Sequence, residues 1–247
     1  HPPRHASARQ ADLSMNRDPG CAYRPPLNRG RPGRFKRLPY RPCRAVNQAP
    51  DPRAEALVGA WAGKTAVVIA SGPSLTAEDV DLVEAYRAAQ GGLVIVTNTS
   101  FRAAPWADVL FFHDWRWWEV HQAEVRQSFS GLKVTIAASR DPAVISMAGL
   151  DFDAYLNAGG GAISLALLGG CQRVICLGLD AQVGPQGQTH WHGSHPKPCG
   201  DAVSLPIWAE KFADLARVAQ ARGVPILNAS RTTALDCFPR VTLEEVL

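Results

Sequence analysis

The sequence predicts an α/β fold with a mainly parallel sheet held between two helical layers. Three observations predict it. Short, uncharged apolar runs rich in β-branched residues recur from residue 65 onward, as strands covered on both faces require. Stretches of helical character separate these runs, the alternation that marks parallel strands joined by crossovers. Polar, Gly-bearing turns follow several runs, at the strand ends where such sheets bind ligands.

The elements follow in order. "TAVVIA" (65–70) is the first strand and "SGPSL" its turn. A helix over 76–90 comes next, with Thr76 as its cap and Glu78 and Asp79 in the first turn, where the helix dipole favours acids. Gly91-Gly92 ends it. "LVIVT" (93–97), "VLFF" (109–112) and "KVTIAA" (133–138) are the second to fourth strands. "RVICLGLD" (173–180) and "VPILNAS" (224–230) are the fifth and sixth. Between those last two lie a long loop and a helix over 206–223, with Ile207, Phe212, Leu215, Ala216, Val218 and Ala219 roughly on one face. No internal repeat appears. The expectation is one Rossmann-like three-layer domain over 58–247.

Residues 1–57 read differently. Up to Glu55 there are twelve Lys and Arg against four Asp and Glu, whereas the rest has fourteen against eighteen. The net charge of +4 therefore comes from the front, which also holds ten of the nineteen prolines. Such a segment predicts a disordered basic arm, either a bare extension or a tether for nucleic acid or another anionic surface. No apolar run approaches the roughly eighteen residues of a membrane helix. No signal-peptide core is visible, and the prolines argue against an amphipathic transit helix. Six cysteines (Cys21, Cys43, Cys171, Cys176, Cys199, Cys237) form no C-x-x-C pair. A cytoplasmic protein with reduced thiols is expected.

Candidate chemistry collects at the strand ends. Ser71-Gly72-Pro73-Ser74 follows the first strand, and Gly72 permits close backbone approach where a helix start offers N–H groups to a phosphate; a plain tight turn is the alternative. The turn is neither a dinucleotide fingerprint nor a P-loop. Asn98 follows the second strand and His113-Asp114 the third. "WRWWEVH" (115–121) offers aromatic faces to a base or sugar, or else packs a helix onto the sheet. "NAGGGAISLALLGG" (157–170) opens a small-residue helix whose start, at Asn157, Gly159 and Gly160, is a second anion site. Asp180 ends the fifth strand, to hold a ribose hydroxyl, a metal or its own loop. "THWHGSHP" (189–196) brings together His190, His192 and His195. It lacks the H-E-x-x-H helix, and Gly193 and Pro196 make it irregular. A general base or phosphate contact is therefore preferred to zinc, with an inert loop as the alternative. Arg231 lies past the last strand with Asn228 and Ser230, placed to pair with a phosphate or carboxylate.

"VVIASGPSL", Asn98, "FFHDWRWWEVH", "GGGAISLALLGGCQRVICLGLD", "HWHGSHP" and "LNASRTTALDCFPR" follow one another over about 180 residues. This order resembles the superfamily that joins Maf flagellin glycosyltransferases, MptE-like 6-hydroxymethylpterin diphosphokinases and bacterial lipooligosaccharide sialyltransferases. It is most similar to short members of phage and prophage type. The resemblance implies a GT-A-type, sialyltransferase-like Rossmann domain. In the sialyltransferase branch, the turn matched by Gly72-Pro73-Ser74 and the asparagine matched by Asn98 hold the CMP of the donor; Asp114 stands at a second asparagine. The Gly-rich helix start matches at Asn157-Ala158-Gly159. "HWHGSH" is similar to a loop whose second histidine is the general base, which makes His195 the nearest match and His192 its rival. That branch has tyrosines after the fifth strand to stabilise the leaving phosphate. Residues 180–200 hold none, and Gln182 stands in one such place. His190, Lys197 or the helix start would then carry the leaving-group charge.

The resemblance implies a glycosyltransferase that moves a sugar from a CMP-type nucleotide donor to an acceptor hydroxyl, with no tightly bound cofactor. A diphosphokinase of the MptE type would instead use ATP with Mg²⁺ on Asp114 and Asp180. A nucleotide-binding accessory protein without catalysis is the third reading.

Overall fold

The computed structural model describes residues 50–200 and 205–247. Most of the expected basic arm, with Cys21, Cys43 and the nucleic-acid contact assigned to it, lies outside the described residues.

Among the described residues seven strands form one sheet: β1 (Thr65–Ile69), β2 (Leu93–Thr97), β3 (Val109–Phe112), β4 (Leu132–Thr135), β5 (Val144–Ser146), β6 (Arg173–Leu177) and β7 (Ile226–Asn228). Their order across the sheet is β5-β4-β3-β2-β1-β6-β7, and every neighbouring pair is parallel. The chain thus builds outward from β1 to β5, then returns to lay β6 on the other side of β1. The crossovers diverge between β1 and β6, which opens a crevice at their carboxyl ends.

The first three strands are buried along their whole length because helices cover both faces. On one face, α4 (Ala158–Leu168) and α5 (Leu205–Ala221) pack over Val68, Ile95, Phe111 and Cys176. On the other, α2 (Ala77–Gln90) and α3 (Trp115–Ser128) pack over Val67, Val96, Phe112 and Ile175. The expected three-layer Rossmann-like sandwich is what the chain forms, with the sheet wholly parallel. No helix among the described residues is long and apolar enough to cross a membrane.

Several expectations change in detail. Six strands were expected and seven form, because β5 has only three residues, too few to show a period. The expected run to Asp180 stops at Leu177, since Gly178 adopts φ +59° and turns the backbone out of the sheet. The run to 138 stops at Thr135, whose hydroxyl accepts the Ala137 N–H. On α5, Ile207 faces outward while Phe212, Leu215 and Ala219 are buried. In α3, Trp117 and Trp118 lie in the core, so neither is a base-stacking platform. Trp117 instead donates its indole N–H to Thr99.

The packed body also reaches back past the expected start at 58. Asp51 caps α1 (Pro52–Glu55), Pro52 suits the first helical position, and Ala54 and Leu57 are buried. Arg53 donates to the carbonyls of Pro142 (2.6 Å) and Val144 (2.9 Å). Basic charge and proline content assigned this stretch to the arm, yet its last turn docks against β5.

α4 sets the thickness of one layer. It is apolar all round, and its glycines let it sit against the strands. A Cβ added at Gly161 would lie 2.2 Å from the buried Phe111 ring. Substituting alanine would gain about 1 kcal/mol of helix propensity against about 1–3 kcal/mol for overpacking. G161A is expected to lose net stability, by up to roughly 2 kcal/mol, seen in urea unfolding as a lower midpoint with an unchanged slope.

Candidate active site

The crevice between β1 and β6 is closed at its base by one carboxylate. Asp180 is 1% exposed. It accepts the Ser74 N–H at 2.7 Å and the Ser74 hydroxyl at 2.6 Å. Burial pushes its carboxyl above the usual carboxylate range, and the two bonds from Ser74 pull the other way. The turn after β1 is thereby latched to the turn after β6. Gly72 N–H adds a bond to Gly178 O at 2.7 Å. A Cβ on Gly72 would meet Gly178 O at 2.4 Å and the Asp180 carboxyl carbon at 2.5 Å. Glycine is required there by the protein's own carboxylate. The N–H groups of Gly72 and Ser74, expected to hold a phosphate, are already used.

Asn228 and Ser230 brace the same exit. Leu179 N–H donates to the Ser230 hydroxyl at 2.8 Å, and the Asn228 amide donates to Leu179 O at 3.3 Å. Arg231 turns away. It pairs with Asp79 through Nε and Nη2 at 3.0–3.2 Å. Asp79 also closes the capping box with Thr76 at the start of α2. The guanidinium expected to meet a phosphate is paired with Asp79 at the α2 N-terminus, off the cleft lining.

Above this base lies a cleft lined by the ends of β1 (Ser71, Gly72) and β2 (Thr97, Asn98), the start of α4 (Asn157, Ala158, Gly159), the exit of β6 (Leu179 to Gln182), Thr189 and His190, and Trp208 and Phe212 of α5. The cleft holds about 90 Å³, several times the roughly 10–15 Å³ one water requires. That admits a phosphate with part of a sugar, and a larger ligand must extend along the rim. The α4 cap is Asn157, whose Oδ1 accepts Gly160 N–H at 2.7 Å. Gly160 is thus capped, while Ala158 and Gly159, carrying the first N–H groups of the helix, line the cleft. A Cβ on Gly159 would come within 2.9 Å of Leu179, so the helix start abuts the β6 exit. Asn98 sits in the left-handed region at φ +46°, which asparagine tolerates. Its side-chain carbonyl oxygen is buried with no hydrogen-bond partner among the described residues.

The histidine loop crosses the rim. Trp191 anchors it, donating its backbone N–H to Ser71 O (3.1 Å) and its indole N–H to the Ser100 hydroxyl (3.3 Å). A turn from His190 O to Gly193 N–H, with Gly193 at φ +84°, folds the chain back. The three imidazole rings converge, with centroids 4.6 to 5.1 Å apart. His190 lines the cleft; His192 and His195 stand behind it. Burial, then the neighbouring His190 and His195 and Arg102, hold His192 down to about 4.

The structure therefore brings Ser71, Gly72, Asn98, Asn157, Gly159, Asp180 and His190 to one cleft. It leaves Pro73, Ser74, Asp114, Gly160, His192, His195, Lys197 and Arg231 off its lining. Asp114 is exposed and caps α3 through Arg116 N–H. Both Asp180 oxygens are bonded to Ser74. Trp208 and Thr189 were missed, and Phe212 was read only as part of the core face of its helix. His121 was missed too, being distant in sequence from the loop it meets.

Asp180 as a latch makes a direct prediction. D180A leaves both Ser74 donors without their acceptor and is expected to lose about 1–3 kcal/mol. D180N can accept from Ser74 N–H and donate to the Ser74 oxygen, so it should stay within about 1 kcal/mol. The raised carboxyl also has a signature in pH. The unfolded chain releases this proton first, so wild-type stability falls as pH rises through the window above about 4. The stability difference D180N minus wild type should grow across that window and then level off in parallel chemical denaturation series.

No family model matches the sequence, and no curated protein matches it. Among solved structures the chain is similar to the Maf glycosyltransferase from Magnetospirillum magneticum AMB-1, at a TM-score of 0.53 and 10% identity. The similarity covers 78% of this chain and 38% of that one, so the chain spans well under half the length of that protein. The layered parallel sheet that opens this cleft is a fold shared with a glycosyltransferase.

Proposed function

We propose that the protein is a nucleotide-sugar-dependent glycosyltransferase that moves a sugar to an acceptor hydroxyl. The carrying observation is a cleft at the β1/β6 switch point that joins the α4 N-terminus to the unpaired Asn98 oxygen, in a fold shared with a glycosyltransferase. The positive end of α4 suits the donor phosphate through Ala158 and Gly159. Asn98 completes a hydrogen bond from a ribose hydroxyl or base amine. Trp208 offers an apolar face to the sugar or base. The acceptor oxygen attacks the anomeric carbon as the bond to the phosphate oxygen breaks, and the histidine cluster takes the acceptor proton. His190, which lines the cleft, is nearest to this task, with His195 behind it. Gln182 and Thr189 line the same cleft and would supply donors to the leaving phosphate. The resemblance in sequence points to a CMP-type donor.

Thermal shift with CMP, CDP, UDP and ATP, each with and without Mg²⁺, tests this. Ligand at a hundredfold excess over its Kd adds about 2.7 kcal/mol, or some 2–4 °C per kcal/mol for a domain of this size. A pyrimidine nucleotide is expected to give that shift without Mg²⁺. N98A should weaken it about tenfold, and H190A should keep it while lowering donor turnover by roughly 10²–10⁴. Stabilisation by ATP with Mg²⁺ alone would overturn the reading.

A further inference from the structure

We propose that His190, His192 and His195 form a binding site for one divalent transition-metal ion of the zinc type, with a coordination position left open. The spacing H-x-H-x-x-H lies in an irregular loop, and that irregularity is what assembles the site. The turn closed by Gly193 N–H on His190 O reverses the chain and returns His195 to the side of His190 and His192. One ligand nitrogen from each ring lies within 4.8 Å of the others. Tetrahedral zinc with nitrogen ligands at 2.0–2.1 Å requires separations of about 3.3 Å. Rotation of imidazoles on a surface loop, about a soft terminal torsion, covers the difference.

Three further observations support a cation here. The Thr189 hydroxyl lies 2.9 Å from His190 Nδ1, the outer bond that fixes which nitrogen a ligating histidine turns to a metal. The Nε2 of His192 is buried with no hydrogen-bond partner among the described residues. Independently, α3 contributes a fourth histidine. His121 is 3% exposed, stacks on Trp117 at 4.7 Å, and donates its Nδ1–H to Trp117 O at 2.9 Å. That bond leaves its Nε2 as a buried lone pair without a partner among the described residues. The ring stands edge to face with His195, centroids 6.4 Å apart. A buried acceptor beside three imidazoles suits a water on the metal's open position, which is a strong donor. Among the described residues the grouped donors are imidazoles, which favour zinc, copper or nickel over magnesium and calcium.

Metal binding stands whether or not the cleft takes a nucleotide sugar. One consequence does rest on that reading. With an ion bound, His190, His192 and His195 would hold it, and it would supply a base for the acceptor proton in place of a bare imidazole.

The test uses the full chain, free of any purification tag, stripped with a chelator and titrated with Zn²⁺ against a chromophoric competitor. One equivalent is expected per chain, and Mg²⁺ should not displace it. H190A, H192A and H195A should each weaken Zn²⁺ at least tenfold, the lower bound for losing even an outer-shell partner, while H113A leaves it unchanged. Co²⁺ should give the visible band of a four-coordinate ion in wild type and not in H192A. Metal-free melting confirms that each variant folds, and H192Q replaces any that does not. No stoichiometric uptake, or uptake equal in the cluster variants, overturns the proposal. Uptake without nucleotide binding would instead overturn only the glycosyltransferase reading.

Discussion

The bond between Asp180 and Ser74 is the constraint on which the site depends. Two strands adjacent in the sheet but far apart in the chain end side by side, and their turns would otherwise be independent loops. A single buried carboxylate takes both a backbone and a side-chain donor from the opposite turn. The geometry leaves no room for a side chain at Gly72. The histidine loop depends on this in turn, because Trp191 hangs from Ser71, one residue before the latched glycine.

The second constraint is the closeness of α4 to the sheet. Glycines at 159 and 161 let the helix touch Leu179 and Phe111, which places its N-terminus within the cleft instead of above it. A helix start at that depth presents its first N–H groups in partly desolvated surroundings, where a partial charge acts more strongly than at an open surface. Packing and anion affinity are here two results of the same small residues.

Much of this was legible in the sequence, and the failures have physical causes. Strand positions and layer count follow from runs such as TAVVIA and LVIVT, because burial on both faces leaves an unambiguous pattern. The polar strand ends were correctly located, since parallel strands all deliver their carboxyl ends to one rim. What each polar group does there was not legible. Asp180 and Arg231 look like ligand contacts until their partners are known, and those partners, Ser74 and Asp79, lie 106 and 152 residues away. Local spacing carries no trace of such pairings. The same holds for His121, which enters the histidine neighbourhood from another element. The short β5 was lost because three residues cannot display a period.

The helical turn at Pro52–Glu55 has a consequence of a different kind. β5 is an outer strand of the sheet, and its free side faces no other strand among the described residues. The Asp51–Arg53 pair occupies that side: the guanidinium takes the Val144 carbonyl and the carboxylate takes the Ser146 N–H. A charged clasp thus caps the groups with which a second chain would pair. A chain begun at residue 58 would keep the cleft and its histidines but present a bare strand edge, and its failing would be self-association rather than loss of chemistry.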